Sequence, residues 1–275
     1  WISILLGGMI SIALGIVCAR LSQRYPGHTF FEYSTLVVGK VFGIVLNLSF
    51  VIYCIMVTIY ELRMNAEVIS HYLLDRTPIE FTSLCFILIS TYLVLGGINP
   101  IVRLMELLLP ITTIVILGVM LLGFKNFELE YFRPVLSEGF MPVLKGLQST
   151  ATPFLGFELI LILTAFMRAP KKAHKAVVVG ISIPIVIYFT TLVVVLGNLS
   201  VEAVKTLTWP TIEVIRAIEF PGAFFTNFEI LFIAVWAIEM FTTFVVFHYI
   251  ASLGMKQIFQ INIKYFHYGF FPLIY

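Results

Sequence analysis

Thr150-Ala151-Thr152-Pro153-Phe154-Leu155-Gly156-Phe157-Glu158 lies inside the apolar stretch Phe140–Phe166, and its reading decides the fold. Pro153 has no backbone N–H to donate, and its ring clashes with the carbonyl four residues back. Gly156, three residues on, reaches dihedrals that other residues avoid. Ahead of the proline, Lys145, Gln148, Ser149 and Thr152 fall at i, i+3, i+4 and i+7, a polar stripe on an otherwise apolar helix. A helix broken here frees backbone carbonyls and amides at mid-membrane, which is tolerable only where they line a cavity. Interrupted helices of this kind are where secondary transporters bind substrates and ions. A plain proline kink, with Glu158 hydrogen-bonded to a neighbour, is the competing reading. The polar stripe favours the cavity.

The surrounding composition sets the medium. Of 275 residues, 60% are hydrophobic and 12% charged, against roughly 25% charged in an ordinary soluble domain. Mean hydropathy is +1.03. The 26 Phe and 12 Tyr exclude disorder. An all-α polytopic membrane protein is the expectation. A net charge of +2, with no basic run interleaved with aromatics, excludes a nucleic-acid partner. Cys18, Cys54 and Cys85 each sit in an apolar run and read as buried small hydrophobes, so neither a disulfide framework nor a metal site is expected. Asp75 is the only aspartate, which disfavours a two-aspartate intramembrane protease. HExxH and GxxxxGK[ST] are absent, and no nucleophile–base pair is visible. An enzyme is not expected, nor a cofactor.

Reading for about 20 apolar residues per span gives Trp1–Ala19, Val41–Tyr60 (continuing as helix to Leu74), Phe81–Gly97, Met105–Phe124, Phe140–Phe166, Val177–Leu196 and Phe228–Leu253. An eighth opens near Gly269 and is partial. The whole chain reads as a single transmembrane domain, 1–275. Because the first run opens at Trp1 with no flank, the expectation is a piece of a larger bundle lacking at least one helix at each end. Alternate loops carry Arg20, Arg24, Lys40, Arg103, Arg168, Lys171, Lys172, Lys175, Lys256 and Lys264; the opposite loops carry Arg76, Lys125, Arg133, Lys205 and Arg216. The positive-inside rule puts the first group in the cytoplasm, and the Lys125–Glu138 loop outside.

Ionisable groups within spans are functional candidates by default. Arg63 and Glu67 are four apart and read as a structural pair on one helix face, while Glu61 and Asn65 share another face that could look into a cavity. Arg103 and Glu106 read as an interfacial pair. Glu239 lies mid-span on one face with Trp236 and Thr243. It is either a proton-titrating or ligand-facing carboxylate, or a packing partner for a cation such as Lys145.

Arg24-Tyr25-Pro26-Gly27 follows the first span, and Arg76-Thr77-Pro78-Ile79-Glu80 opens the third. Arg103-Leu104-Met105-Glu106 leads to Pro110, and Lys171-Lys172-Ala173-His174-Lys175-Ala176 precedes the sixth. Thr208-Trp209-Pro210-Thr211-Ile212-Glu213-Val214-Ile215-Arg216 is followed by Trp236 and Phe241. In order and spacing these strings resemble the B subunits of spore germination receptors, the spore permease family of the amino acid–polyamine–organocation transporter superfamily. The resemblance covers nearly the whole chain. It implies an inverted-repeat, amino acid transporter-like bundle of ten helices, of which about seven or eight are present here and the first is missing. The broken helix at Pro153 then falls on the family's discontinuous sixth span.

The resemblance further implies a subunit in the inner membrane of dormant spores that senses an amino acid or similar nutrient beside A and C subunits. The ligand-binding candidates are Thr152, Pro153, Phe154, Gly156, Glu158 and Glu239. A proton-coupled amino acid permease is the runner-up function, and a purely structural subunit the third.

Overall fold

The computed structural model describes residues 1–133, 136, 139–218 and 228–275. Among them the regular structure is entirely helical. Apolar runs become helices because a chain in lipid must satisfy every backbone group internally. Among the described residues, five helices are long and apolar enough to cross a membrane, or six when the bent segment Met141–Phe166 is taken as one span. The protein is an all-α, multi-pass membrane protein. By contact density it divides into two units, each built from two separate stretches of chain: 1–29 with 113–229, and 30–112 with 230–275.

The first unit starts with α1 (Ile2–Ser22). After the residues 113–122 that end α5 (Ile98–Leu122) and two 3₁₀ turns, it continues through α6 (Met141–Thr150), α7 (Ile160–Leu163), α8 (Ala173–Asn198), α9 (Val201–Thr206) and α10 (Pro210–Arg216). Along α1 the buried residues Gly7, Ser11, Gly15 and Ala19 recur every four positions. That spacing makes one smooth face, and small residues let helix backbones approach closely in membranes. A Cβ at Gly15 would lie 2.6 Å from Val177 Cγ1 on α8. Ala19, Ala173 and Val177 form a buried cluster beneath Ile16, Ile160, Met167 and Ile181. At the other end of α8, Val194 and Val195 pack with Val214 of α10. The Glu128 amide donates to the Gly197 carbonyl (2.8 Å), and Asn198 Nδ2 donates to the Gly123 carbonyl (2.9 Å). The turn after α5 is thereby pinned to α8. Pro134, Val135, Ser137 and Glu138 of the expected external loop lie outside the described residues.

The second unit contains α2 (Phe30–Val38), α3 (Lys40–Tyr72), α4 (Ile79–Leu95), the first part of α5, most of α11 (Phe228–Phe259), α12 (Ile263–Gly269) and α13 (Phe271–Ile274). The nine residues of α2 are too few to register as a span and were not anticipated. Asn47 fastens α2 to α3: its Nδ2 donates to the Phe31 carbonyl (2.8 Å) and its Oδ1 accepts from Ser34 Oγ (2.7 Å). At 33 residues, α3 is about 50 Å long, well beyond the roughly 30 Å hydrocarbon core. Its later turns carry the Arg63–Glu67 pair, Nε to Oε1 at 2.6 Å. Arg103 and Glu106 form no ion pair, which corrects that expectation. Both are exposed, and at an exposed site solvent competes with the partner. Edge-to-face aromatics build the core, with Phe31 against Phe50, Tyr53 against Phe247, and Phe86 against Phe241 and Phe244. A helix opens at Phe271, near the expected start at Gly269, and it is preceded by α12, which begins at Ile263 where Asn262 Oδ1 caps it by accepting from the Lys264 amide (3.1 Å).

Candidate functional site

The segment after α6 does not continue as an α-helix. Thr152–Phe154 and Phe157–Leu159 are separate 3₁₀ turns, and the helical pieces on either side of Ala151 are bent by 48°. Between the turns, Leu155 is extended (φ −58°, ψ 147°) and Gly156 takes φ +110°, a conformation that side chains rarely adopt. Pro153 sits in the first positions of its turn, where a missing N–H costs least. Glu158 reaches back so that both carboxylate oxygens accept from the Gly156 amide, at 3.0 and 3.1 Å. A polar side chain within an apolar span is thus used to satisfy a donor released by the break.

Three side chains on and just after α1 hydrogen-bond to carbonyls of the chain around the break. Ser3 Oγ donates to the Val143 carbonyl (3.0 Å), Ser22 Oγ to the Leu161 carbonyl (3.2 Å) and Gln23 Nε2 to the Pro170 carbonyl (2.9 Å). The serines had no sequence signal of their own. The small-residue spacing around them was the signal available.

The break has two sides. Phe154 is 4% exposed, its ring edge-to-face with Tyr188 (5.7 Å) and close against Gly7 and Gly8. Thr152 and Pro153 are exposed, as are Lys145, Gln148 and Ser149 of the polar stripe. Thr152, Pro153, Phe154, Gly156 and Glu158 are therefore together in one short stretch of chain, with Phe154 on the packed side. Glu239 belongs to the other unit, on α11, where it accepts a hydrogen bond from the Thr112 hydroxyl of α5. A shallow, open cleft lined by Lys256, Gln260, Ile261, Asn262 and Ile263 contains none of these residues.

These features define a multi-pass α-helical membrane protein with an interrupted span braced by its own carboxylate. The chain belongs to the spore permease family of spore germination proteins, whose family model matches residues 1–275. It is 40% identical to spore germination protein YndE of Bacillus subtilis (strain 168), over all of this chain and 76% of that protein. It is 36% identical to spore germination protein A2 of the same organism, over 96% of this chain and 72% of that protein. With spore germination protein GerLB of Bacillus cereus it shares 28% identity, over 92% of this chain and 68% of that protein. Such relatives support a role in germination.

Proposed function

We propose that the chain is the nutrient-sensing membrane subunit of a spore germination receptor, binding an amino acid or similar small germinant at the break around Thr152–Glu158. The observation that carries this reading is the exposed polar stripe running into an interrupted helix. Polar side chains at membrane depth need a polar medium or a ligand, since lipid offers neither donor nor acceptor. An amino acid brings an ammonium and a carboxylate. Amide-bearing helix starts suit the carboxylate and carbonyl-bearing ends suit the ammonium. Thr152, Pro153 and Gly156 form the binding side, Phe154 the wall behind them, and Glu158 the brace. Glu239, held by Thr112, is the second carboxylate proposed to answer ligand or proton charge.

A receptor needs only differential affinity. A preference of about 100-fold between two states supplies roughly 2.7 kcal/mol of bias. The bias passes to A and C subunits in the inner spore membrane, and residues 1–275 act as a single transmembrane domain of the inverted-repeat transporter type. Deleting the gene from spores that have no other nutrient receptor should abolish nutrient germination and leave germination by receptor-bypassing agents intact. Normal nutrient germination after deletion would end this reading. Uptake of labelled amino acid by reconstituted vesicles would favour the permease instead.

The same reading puts Arg168, Lys171, Lys172 and Lys175 in the cytoplasm. Ala173 is buried and unsuitable for labelling, whereas Lys172 and Leu129 are exposed. In a background without Cys18, Cys54 and Cys85, Leu129→Cys should react with an impermeant thiol reagent in intact cells. Lys172→Cys should react only after the membrane is opened. The reverse pattern would invert the topology.

A further inference from the structure

On α3, Asn65 is completely buried, and its Nδ2 donates to the Ala237 carbonyl at 3.1 Å. That bond fixes the planar amide, because flipping it would set two carbonyl oxygens against each other. Asn65 Oδ1 is therefore presented in a set direction, and it has no hydrogen-bond partner. One helical turn earlier on the same face, Glu61 Oε2 is likewise buried without a partner. The nearest cation in sequence is already engaged, since Arg63 pairs with Glu67 at 2.6 Å. On α4, which packs against α3, the hydroxyls of Thr82 and Thr91 are also buried and unpartnered.

Asn65 Oδ1 and Glu61 Oε2 thus stand on one helix face with neither bonded to a donor, the inverse of an ordinary buried polar network. A water would supply donors but leave the Glu61 charge at membrane depth uncompensated. A proton on Glu61 would remove the charge and offer a single donor, an alternative that the comparison of salts at fixed pH separates from ion binding. A cation bound by both oxygens answers both deficits. With one carboxylate the site is too weakly charged for calcium, and magnesium gives up its water reluctantly. We propose that Glu61 and Asn65 form a binding site for a small inorganic monovalent cation, sodium or potassium. The site lies on α3, away in sequence from the Thr152–Glu158 break, and stands whether or not that break binds a nutrient.

Thermal unfolding of the full-length protein in nanodiscs tests this, with sodium, potassium, ammonium and N-methyl-D-glucamine chlorides compared at constant ionic strength and pH. Sodium or potassium should raise the midpoint saturably, by about 3–5 °C at ten times the half-saturating concentration. Glu61→Gln should abolish this ion-specific shift, and Asn65→Ala should raise the half-saturating concentration about tenfold. Should Glu61→Gln not insert, Glu61→Asp, with its oxygen drawn back by one methylene, should weaken half-saturation. Equal midpoints in all four salts overturn the proposal, as does a shift seen only with ammonium or only with pH. So does a shift that survives Glu61→Gln, or a half-saturation that Glu61→Asp leaves unchanged.

Discussion

Spores carrying Gly156→Leu should no longer germinate in response to the nutrient, while still responding to agents that bypass receptors and still containing inserted protein. The reason lies in the backbone. Gly156 holds φ +110°, and a Cβ built there meets nothing within 4 Å. Crowding is therefore absent, and the penalty of about 1–3 kcal/mol belongs to the conformation itself. That is enough to depopulate the bent state by about 5- to 150-fold. Gly156→Ala should accordingly lose most of the response despite its small size. Gly156→Asn, whose side chain tolerates left-handed conformations, should retain more of it. The measurement is the rate of optical-density loss of a spore suspension across nutrient concentrations. A wild-type response from Gly156→Ala would show that the break needs no left-handed residue.

The second large effect should come from the packed side. Gly8→Leu is expected to lower the thermal unfolding midpoint by several degrees and to reduce the protein recovered from membranes. A Cβ at Gly8 would run into the Ile185 side chain and lie 3.2 Å from Phe154 Cζ, so the substitution displaces the wall of the break as well as α8. Overpacking of this kind costs about 1–3 kcal/mol. Gly180→Leu is the matched control, because nothing lies within 4 Å of a Cβ there. Equal midpoints for the two variants would show that α1 does not pack through its glycines.

Much of the fold was legible because membrane helices follow from local composition. Trp1–Ala19, Val177–Leu196 and Phe228–Leu253 stand out as apolar runs, and apart from Trp1, which precedes α1, each lies within a helix of the structure. Pro153 and Gly156 mark the interruption through chemistry that acts within four residues. The short α2 was not legible, because its nine residues fall below the length at which apolarity implies a span. Nor was the α12 start at Ile263, where a single side-chain cap from Asn262 decides the boundary.

The amino-acid sequence by itself determined the membrane class, the helical runs and the interruption at Thr152–Phe157. These depend on hydropathy, on the missing N–H of Pro153 and on the freedom of Gly156, all of which act locally. Only the tertiary structure decided that Phe154 is buried against Tyr188 while Thr152, two residues earlier, is exposed. The same holds for the partner of Glu239, which proved to be the hydroxyl of Thr112, and for Ser3, whose hydroxyl closes a carbonyl 140 residues away. Periodicity names the face of a helix but not the helix that will cover it. That choice is made by shape, when the glycine face of α1 meets side chains that fit against it.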